Sequence, residues 1–465
     1  MATTCDVIVI GVGGMGSAAC FELARRGAHV VGLEQFPLAH HRGSSHGRTR
    51  IIRTAYYEHP DYVPLLRRAW ERWYELEQLT GRHLLTECPC LMVGPESGEV
   101  VTGVRAAAGT HALVVESLTA AEVNRRYPFR FPDDYAGVLE HAAGFLAVEE
   151  CVRAHALAAI GEGLELHVEE AVRSWAPRGD GVEVVTDRDT YHAGRLVVTA
   201  GAWATQLLAD LGVPLTVMRQ VQTWFRTDPA AVRRDRFPIF LADVPGGPFY
   251  GIPALDADGV KVARHYGAPE LPDPSGVEWQ SSPADFEPVA AFLREYTTLP
   301  NPAPTCAEVC QYTLTPDRHF VIDRHPLHPQ VSVACGFSGH GFKFAPVVGE
   351  VLADLALTGR TPHPVGRFAT TRFQSGSARR SLACRIRLPC PAPTCRRCRP
   401  RCPPPSGGTG ASPPSGRSRK TPCGWPSPAA TPSSSCPPAA ASRSATRRPP
   451  SSAAASPSSC RRSSR

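Results

Sequence analysis

The sequence has no run of eighteen consecutive apolar residues, so we expect no transmembrane helix and no membrane partner. The first residues also lack a basic segment followed by a cleavable apolar one, which argues against a secretory signal and favours a cytoplasmic protein. The eight cysteines before residue 374 are scattered along the chain. That distribution indicates reduced thiols and argues against a small disulfide-stabilised domain.

Acidic residues are missing from the C-terminal part, where 17 Lys or Arg and no Asp or Glu follow Gln374. The rest of the chain carries 33 basic and 43 acidic side chains, so the net charge of +7 conceals a mildly acidic body. From Ser375 onward Pro, Ser, Arg, Ala and Cys dominate, and apolar periodicity is lost. Such a composition buries too little apolar surface to offset the entropy of ordering, so we interpret residues 374–465 as a disordered basic tail.

Two interpretations of this tail remain. Its composition is that of a GC-rich gene translated in the wrong frame, which favours a frameshift, and the less favoured alternative is a basic arm that binds nucleic acid. Cys395 and Cys398 have the spacing of zinc ligands, but the tail contains no histidine and Cys402 follows only four residues later. We therefore predict neither a metal site nor a nucleic-acid partner.

The clearest positive signal is a strand, a glycine-rich turn and a helix near the start of the chain. Residues 7–10 are continuously apolar, as in a buried parallel strand, and residues 17–24 are compatible with a helix. The turn between them contains Gly11, Gly13, Gly14 and Gly16. In a dinucleotide site the first such glycine permits the tight turn, the second admits a pyrophosphate, and the last lets helix and strand pack closely.

A second apolar strand at residues 29–33 ends at Glu34. An acidic residue at such a strand end, about twenty residues past the glycines, accepts a hydrogen bond from a ribose hydroxyl in dinucleotide-binding folds. Together the two strands predict an α/β domain that binds an adenine dinucleotide. The alternative is a glycine turn that serves packing alone.

Strand and helix patterns alternate through the rest of the body. A helix is predicted at residues 149–160, and strands at 182–185 and 196–199 with a turn-like segment at 191–194 between them. Two more strands, at residues 250–253 and 259–266, flank a turn beginning at Asp256.

Two clusters contain candidate cationic groups. Residues 43–53 include Arg48, Arg50 and Arg53, and the last two would share a face if the segment formed a helical turn. A guanidinium matches a carboxylate with two hydrogen bonds, although a solvated basic turn is the alternative. In the second cluster Lys261 and His265 would share one face of a strand, and a solvent-facing lysine is equally compatible with that pattern.

Two further clusters lie near the end of the body. Cys310 and Tyr312 would share a strand face, although a buried free cysteine is most often a small apolar side chain. Glycines at 336, 339 and 341 predict close approach of the backbone to a ligand, and Lys343 adds a cation beside it. The alternative for this last segment is a flexible glycine loop.

Taken in order, these clusters resemble the monomeric sarcosine oxidase and N-methyltryptophan oxidase group of flavoproteins, within the D-amino-acid-oxidase-like superfamily. The resemblance runs from residue 5 to about residue 372 and is most specific at residues 47–53, 310–317 and 336–343. It implies a Rossmann-type FAD-binding domain and an α+β substrate domain built on an antiparallel sheet. The corresponding division gives residues 1–80, 141–215 and 310–373 to the FAD-binding domain, and residues 81–140 and 216–309 to the substrate domain.

The resemblance also implies roles for individual residues. Cys310 matches the cysteine that carries the flavin covalently, with Cys306 as the alternative attachment point, and Lys261 matches a lysine assigned to oxygen activation. Arg53 and Lys343 match the residues that hold the substrate carboxylate, and Arg50 matches an arginine beside the flavin. Tyr250, His265 and Tyr312 match residues lining the substrate pocket. The expected FAD contacts are Gly11, Gly13, Gly14, Gly16, Glu34, Ser45, His46, Thr49, Cys310, Gly339, Gly341 and Lys343.

The implied function is an FAD-dependent oxidase that converts a small secondary amino acid, such as sarcosine, and dioxygen into an imine and hydrogen peroxide. The resemblance implies a monomer. Two alternatives keep the flavin: a dehydrogenase that passes electrons to another acceptor, and an oxidase of pipecolate, N-methyltryptophan or glycated amino acids. A nicotinamide-dependent dehydrogenase and a non-catalytic product are the alternatives without that chemistry.

Overall fold

The computed structural model describes residues 3–373, so the predicted basic tail and the Cys395 and Cys398 pair lie outside the described residues. Within that range the α-helices are α1 (Gly14–Ala24), α2 (Val63–Thr80), α3 (Glu99–His111), α4 (Ala120–Arg126), α5 (Val148–Gly161), α6 (Ala204–Leu207), α7 (Pro283–Tyr296) and α8 (Ala345–Thr358). Single 3₁₀ turns lie at Pro60–Tyr62, Gly201–Trp203, Pro274–Gly276, Phe342–Phe344, Gly366–Phe368 and Thr370–Phe373.

The strands of the same range form three sheets. They are β1 (Thr3–Ile10), β2 (Val30–Leu33), β3 (Thr49–Ile52), β4 (Leu85–Glu87), β5 (Cys90–Pro95), β6 (Glu116–Thr119), β7 (Tyr135–Glu140), β8 (Gly144–Ala147), β9 (Glu165–His167), β10 (Val172–Arg178), β11 (Gly181–Thr186), β12 (Thr190–Val198), β13 (Thr216–Arg226), β14 (Ile239–Val244), β15 (Gly247–Ile252), β16 (Val260–Arg264), β17 (Glu270–Leu271), β18 (Ala303–Leu314), β19 (Val321–Arg324) and β20 (Val331–Cys335).

The first sheet has eight strands and a parallel centre. Strand β1 pairs in parallel with β2 and β12, β2 with β9, and β12 with β20, whereas β10, β11 and β19 are joined by antiparallel pairing. Val7, Ile8 and Val9 are completely buried because both faces of this sheet are covered. That burial explains the continuous apolar run by which the strand was predicted.

The second sheet has nine strands in the order β17-β13-β16-β15-β14-β5-β7-β6, with β18 also paired to β13. Its pairings are antiparallel except for that of β14 with β5. Its core is aromatic, and the ring of Phe292 on α7 stacks on Phe249 with centroids 4.5 Å apart. The third sheet, β3-β8-β4, contains the arginine-rich segment. The predicted combination of a Rossmann-type sheet with an antiparallel substrate sheet is confirmed.

The chain passes repeatedly between the two large sheets. Residues 3–33, 165–198 and 321–335 supply strands to the first, and residues 90–140 and 216–314 supply strands to the second. Distant segments therefore meet where the sheets face a common cavity. The domain boundaries given above stay a prediction. No helix among residues 3–373 combines the length and the apolar character needed to cross a membrane.

One predicted local structure is wrong. Residues 191–194, predicted to be turn-like, belong to β12, and residues 187–189 separate it from β11. The strand is favoured because Tyr191 and Ala193 alternate into the core while β1 and β11 pair with the two edges. The helix at 149–160 and the strands around the turn at Asp256 are confirmed as α5, β15 and β16.

Helices α1 and α8 pack backbone to backbone on the first sheet. A Cβ at Gly349 of α8 would lie 2.7 Å from the carbonyl carbon of Ala18 in α1, so only glycine permits this approach. Helix α1 begins within the glycine-rich turn, and α8 begins two residues after Lys343. The two helices thus link two of the predicted functional segments.

Candidate active site

A cavity of about 410 Å³ runs from the carboxyl ends of the parallel strands to the second sheet. Its dinucleotide end, as named here, comprises Gly11, Gly13, Gly14, Glu34 and Thr199, which lie where β1, β2 and β12 end. Its charged end, as named here, comprises Arg50, Arg53, Glu58 and Lys343. Ligands of open α/β sheets bind at such strand ends, so the position agrees with the predicted site.

The dinucleotide end is shaped by backbone groups. Gly11 has a positive φ of +84°, and a Cβ there would lie 2.7 Å from the carbonyl oxygen of Thr199. Gly16 lies outside the cavity lining, and its missing Cβ would fall 1.8 Å from the carbonyl oxygen of Gly11. Gly16 therefore serves the packing of helix against strand, as predicted for the last glycine of the turn.

Gly13 leaves the turn open toward the cavity. A Cβ there would meet only the Ser45 hydroxyl, at 3.8 Å, and that hydroxyl accepts a hydrogen bond of 3.1 Å from the Gly14 N–H. Glu34 is buried and accepts hydrogen bonds from the Val12 N–H at 2.9 Å and the Phe36 N–H at 3.1 Å. Because a carboxylate has about four lone-pair sites, Glu34 can still accept a hydrogen bond from a ribose hydroxyl.

Arg53 enters the charged end already paired with an acid. One of its terminal nitrogens donates to both carboxylate oxygens of Glu58, at 3.0 and 2.8 Å, and the other donates to the carbonyl of Ala55 at 2.9 Å. Its side chain is only 6% exposed. Burial alone would lower the pKa of the guanidinium, but the Glu58 carboxylate raises it overall. Arg53 is therefore a permanent cation with an exchangeable partner.

Lys343 lies beside this ion pair. Its ammonium donates to the carbonyl of His340 at 2.7 Å and approaches the Tyr56 hydroxyl at 3.5 Å. Burial, followed by repulsion from Arg53, lowers the pKa of Lys343 to about 7. The charge of this end consequently changes within the neutral pH range.

Arg50 lies on the extended strand β3, so the condition under which Arg50 and Arg53 would share a helical face is not met. Pairing of β3 with β8 holds the segment extended. The Arg50 guanidinium donates to the carbonyls of Thr49 and Ser44 and to the Gln222 side-chain oxygen, at 2.7 to 2.9 Å. Arg53 follows the end of the strand, which allows both side chains to reach the cavity.

His265, Tyr312 and Tyr250 line the cavity beside one another and form one of its walls. The His265 Nδ1 lies 3.2 Å from the Tyr312 hydroxyl, and the Tyr250 ring is perpendicular to the imidazole with centroids 6.0 Å apart. Burial lowers the pKa of His265 to about 3 and raises the pKa of Tyr250 to about 12. All three side chains are therefore neutral near pH 7.

The two candidate cysteines lie in different surroundings. Cys310 is 2% exposed and lines the cavity, and burial raises the pKa of its thiol. Cys306 is half-buried, lies outside the lining and has its sulfur 3.7 Å from the Arg48 guanidinium. Register with β13 places Cys310 opposite Gln220, whereas Cys306 lies beside an irregularity in that pairing.

Lys261 does not line the main cavity. It lines a separate cavity of about 10 Å³ and donates to the carbonyls of Gly47 and Thr49 at 2.6 and 2.9 Å. The Thr49 hydroxyl, at 3.4 Å, completes three acceptors for its three N–H groups. Burial lowers the pKa of Lys261 far below its usual value, with Arg50 lowering it further and Cys310 raising it. Lys261 thus interacts electrostatically with Arg50 and Cys310, which line the main cavity, although its own side chain does not line it.

Most predicted site residues line one cavity, and four do not. The four are Gly16, His46, Thr49 and Lys261. His46 is buried with its Nδ1 3.2 Å from Glu308, and its Nε2 has no partner within the described structure. Gly339 and Gly341 line the cavity, but Cβ atoms there would lie 2.3 Å from the Tyr312 ring and 2.4 Å from the Phe337 ring. Packing of these rings explains both glycines without a ligand.

Sequence reasoning missed several residues that shape the site. Glu58, Tyr57, Cys90 and Leu241 line the cavity, and Tyr56 contacts both Arg53 and Lys343. Glu58 matters most because it neutralises Arg53. Its only sequence signal is an acid five residues after an arginine, and that spacing predicts no ion pair unless the intervening fold is known.

A second polar cluster lies outside the cavity. Asp210, His325 and His328 have side-chain atoms within 4.8 Å of one another, as metal ligands would. The His325 Nδ1 accepts the Leu327 N–H at 3.3 Å, which leaves its Nε2 to donate to Asp210 at 3.2 Å. An imidazole that binds a metal through one nitrogen donates the N–H of its other nitrogen to an acceptor. The His325 Nδ1 instead accepts a hydrogen bond, so hydrogen bonding accounts better for this cluster than a metal ion.

The residues present fit FAD. The glycine turn leaves backbone room at Gly13, Glu34 retains acceptor capacity, and the cavity continues to Cys310 and the charged end. Within the described residues the Gln311 side-chain oxygen, which belongs to a lining residue, is buried without a hydrogen-bond partner. A polar ligand in the cavity would give that oxygen a donor.

Comparison with known proteins agrees with this geometry. The family model described as FAD dependent oxidoreductase matches residues 6–355. The chain is 46% identical to the monomeric sarcosine oxidase of Streptomyces avermitilis, over 81% of this chain and 100% of that protein. It is 35% identical to the N-methyl-L-tryptophan oxidase of Yersinia pestis, over 79% and 99% respectively. The solved structure of NikD, an unusual amino acid oxidase essential for nikkomycin biosynthesis, superposes with a TM-score of 0.71 at 26% identity, covering 79% of this chain and 98% of NikD.

Proposed function

This chain belongs to the FAD dependent oxidoreductase family, and we propose that it is an FAD-dependent oxidase of small secondary N-methyl amino acids such as sarcosine. The observation that carries the proposal is the convergence of Arg53 and Lys343 on the cavity that Cys310 also lines. Its similarity to sarcosine oxidases supports the same substrate class. The reaction would remove two electrons from the amine and reduce dioxygen to hydrogen peroxide, and water would hydrolyse the imine.

Arg53 and Lys343 would bind the substrate carboxylate. Glu58 now occupies the position that such a carboxylate needs on Arg53. Exchange of one carboxylate for another leaves the buried guanidinium paired throughout, which avoids the large cost of an uncompensated buried charge. Hydrogen bonds from the Arg53 nitrogen that now binds Glu58 and from Lys343 would fix the orientation of the acid, and hence of the amine-bearing carbon.

The wall formed by His265, Tyr312 and Tyr250 would face the amine. It has no charge near pH 7, and Leu241 and Ile51 add apolar surface to the cavity lining. Such surroundings favour an uncharged amine over an ammonium, because burial disfavours the charged form. The neutral amine is the form that can lose electrons, so the wall would select the reactive state.

Gly11, Gly13, Gly14, Glu34 and Ser45 would hold FAD at the dinucleotide end, and Cys310 would hold it covalently. When bound, FAD supplies the electron acceptor for the amine and returns the electrons to dioxygen. Lys261 would place positive charge near the tethered group, and a fixed cation in a water-poor site stabilises negative charge that develops on oxygen.

The test is hydrogen peroxide release by the purified full-length holoprotein. Sarcosine and pipecolate are compared with dimethylamine and piperidine, which lack only the carboxylate. We expect peroxide from at least one carboxylated amine, with kcat/KM roughly 10⁴-fold above that of its uncharged partner, as for removal of a hydrogen-bonded group that a site requires. Arg53→Ala should remove this difference, whereas Arg67→Ala, on the exposed side of α2, should retain it. Equal rates for both members of each pair would contradict the proposal.

One observation favours a second candidate, an FAD-dependent dehydrogenase. Lys261 is bound by the carbonyls of Gly47 and Thr49 and does not line the main cavity. A lysine in this position would stabilise the negative charge that develops on oxygen less than one that lines the main cavity. A protein whose flavin is bleached by sarcosine, yet which releases no peroxide in air and reduces an added dye, would establish this alternative.

A further inference from the structure

Tyr56 contacts two cations of the charged end, Arg53 and Lys343. The Arg53 guanidinium carbon lies 4.3 Å from the centroid of its ring, and the Lys343 ammonium lies 5.1 Å from the same centroid. Tyr56 is completely buried and does not itself line the cavity. The two cations thus share one aromatic neighbour that a ligand in the cavity would not touch.

The electrostatics of this arrangement favour the charged forms of both groups. The face of an aromatic ring attracts a cation within about 6 Å, and the attraction is stronger where water is excluded. Arg53 and Lys343 otherwise repel each other, which is one cause of the lowered pKa of Lys343. A ring shared by both offsets part of that repulsion and keeps the cations close enough to bind one carboxylate.

The ring is itself fixed in place. The Tyr56 hydroxyl lies 2.6 Å from the His340 Nδ1, and the His340 Nε2 lies 3.0 Å from the carbonyl oxygen of Arg318. Because a carbonyl can only accept, Nε2 carries the proton and Nδ1 accepts the Tyr56 O–H. Tyr62 packs beside the ring with centroids 4.9 Å apart, and Phe344 packs perpendicular to it at 5.5 Å.

Building on the proposed function, we propose that Tyr56 is a positioning residue for substrate binding. Its ring is the common support that keeps Arg53 and Lys343 directed into the cavity, so that both cations are in place when a substrate carboxylate displaces Glu58. His340 contributes by fixing the ring through Nδ1 and Lys343 through its carbonyl. Loss of the ring should therefore weaken carboxylate binding and leave the chemistry at saturating substrate nearly unchanged.

The experiment uses the full-length holoprotein and three variants. Tyr56→Met removes the ring at similar volume, Tyr56→Phe keeps the ring without its hydroxyl, and Tyr62→Leu removes a neighbouring buried ring that stacks on no cation. The dissociation constant of acetate is measured from the change in flavin absorbance, together with KM and kcat for the best carboxylated substrate. For Tyr56→Met we expect acetate binding and KM to weaken about tenfold while kcat changes less than twofold.

The other variants separate the shared support from ordinary packing. Tyr56→Phe should keep acetate affinity within threefold of wild type. Tyr62→Leu removes a packing neighbour of the ring but not the ring shared by the cations, so acetate affinity should also stay within threefold although the melting temperature falls. Unchanged acetate affinity in Tyr56→Met, or an equal loss in Tyr62→Leu, would overturn the inference. If Tyr56→Met yields no holoprotein, Tyr56→Leu takes its place and the same outcomes apply. A wild-type holoprotein that neither binds acetate nor oxidises carboxylated amines would instead refute the proposed function.

Discussion

The two ends of the cavity are built in opposite ways. The dinucleotide end relies on missing side chains and backbone N–H groups, with Glu34 as the one acid on which two of those groups converge. The charged end relies on long side chains that are already paired before any substrate arrives, Arg53 with Glu58 and Lys343 with the carbonyl of His340. Short-range geometry thus defines the first end, and packing of distant segments defines the second.

Because of this difference, the two ends should be sensitive to different kinds of substitution. A substitution that adds volume should damage the dinucleotide end, because its turn has no free space except toward the cavity. A substitution that removes charge should damage the charged end, because each buried cation there depends on its neighbours. The following experiments, from the largest expected effect to the smallest, test that contrast.

Cys310 lines the same cavity as both ends, and its substitution should show an all-or-none effect. After denaturing precipitation, we expect wild-type protein to stay yellow and Cys310→Ala to lose all flavin, because the proposed covalent bond is made by the Cys310 sulfur, which lines the cavity. Cys306→Ala is the matched control and should stay yellow. Flavin retained by the Cys310→Ala pellet would assign the covalent bond to another residue.

Gly16→Ala tests shape at the dinucleotide end. The added methyl would lie 1.8 Å from the Gly11 carbonyl oxygen and 2.7 Å from the Thr199 hydroxyl, so the turn must shift at a cost of about 3 kcal/mol or more. We expect little or no FAD in the purified variant. FAD content is measured as the ratio of the flavin absorbance at about 450 nm to the protein absorbance at about 280 nm. Gly109→Ala, at an exposed position of α3 with no atom nearby, should keep full FAD content.

Lys261→Met tests charge without direct contact. We expect reoxidation of the reduced flavin by dioxygen to slow by about 10²–10³-fold, the range found when one electrostatic stabiliser is removed, while reduction by substrate stays nearly normal. Rapid mixing of reduced protein with oxygenated buffer measures the rate. A rate equal to that of wild type would remove Lys261 from this role and agree with its position outside the main cavity.

Lys343 should make carboxylate binding depend on pH. Its pKa of about 7 means that the ammonium is present below that pH and is lost above it, while acetate stays ionised and Arg53 stays charged. His340 and His265, which also face this end, stay neutral because burial lowers their pKa values. We expect acetate affinity to fall about tenfold between pH 6 and pH 8 in wild type. In Lys343→Met the affinity should be weaker and independent of pH, and a flat wild-type profile would contradict the assignment.

The same contrast explains what the sequence could reveal. The glycines, Glu34 and the two strands before them lie within 32 residues, so periodicity and spacing were enough to predict the dinucleotide end. The α/β body and the antiparallel second sheet followed from strand patterns and from the family resemblance. The cavity positions of Arg53, Lys343, Cys310 and Tyr312 required that resemblance, because no local pattern brings these segments together.

Other features could not be predicted because they depend on tertiary packing. Glu58 and Tyr56 acquire their roles only when residues 53–58 fold against the segment that contains His340. The extended form of the arginine-rich segment depends on pairing with β8, which begins more than ninety residues later. Gly339 and Gly341 suggested contact with a ligand, yet their neighbours are the rings of Tyr312 and Phe337.

The contact between Gly349 and Ala18 couples the positions of helices α1 and α8. Helix α1 starts in the glycine-rich turn and α8 starts just after Lys343, so a shift of one helix along the other would move this turn relative to Lys343. A side chain added at Gly349 would push α1 and α8 apart and so displace both the glycine-rich turn and Lys343. We would therefore expect one substitution at this contact to weaken the proposed binding of both cofactor and substrate.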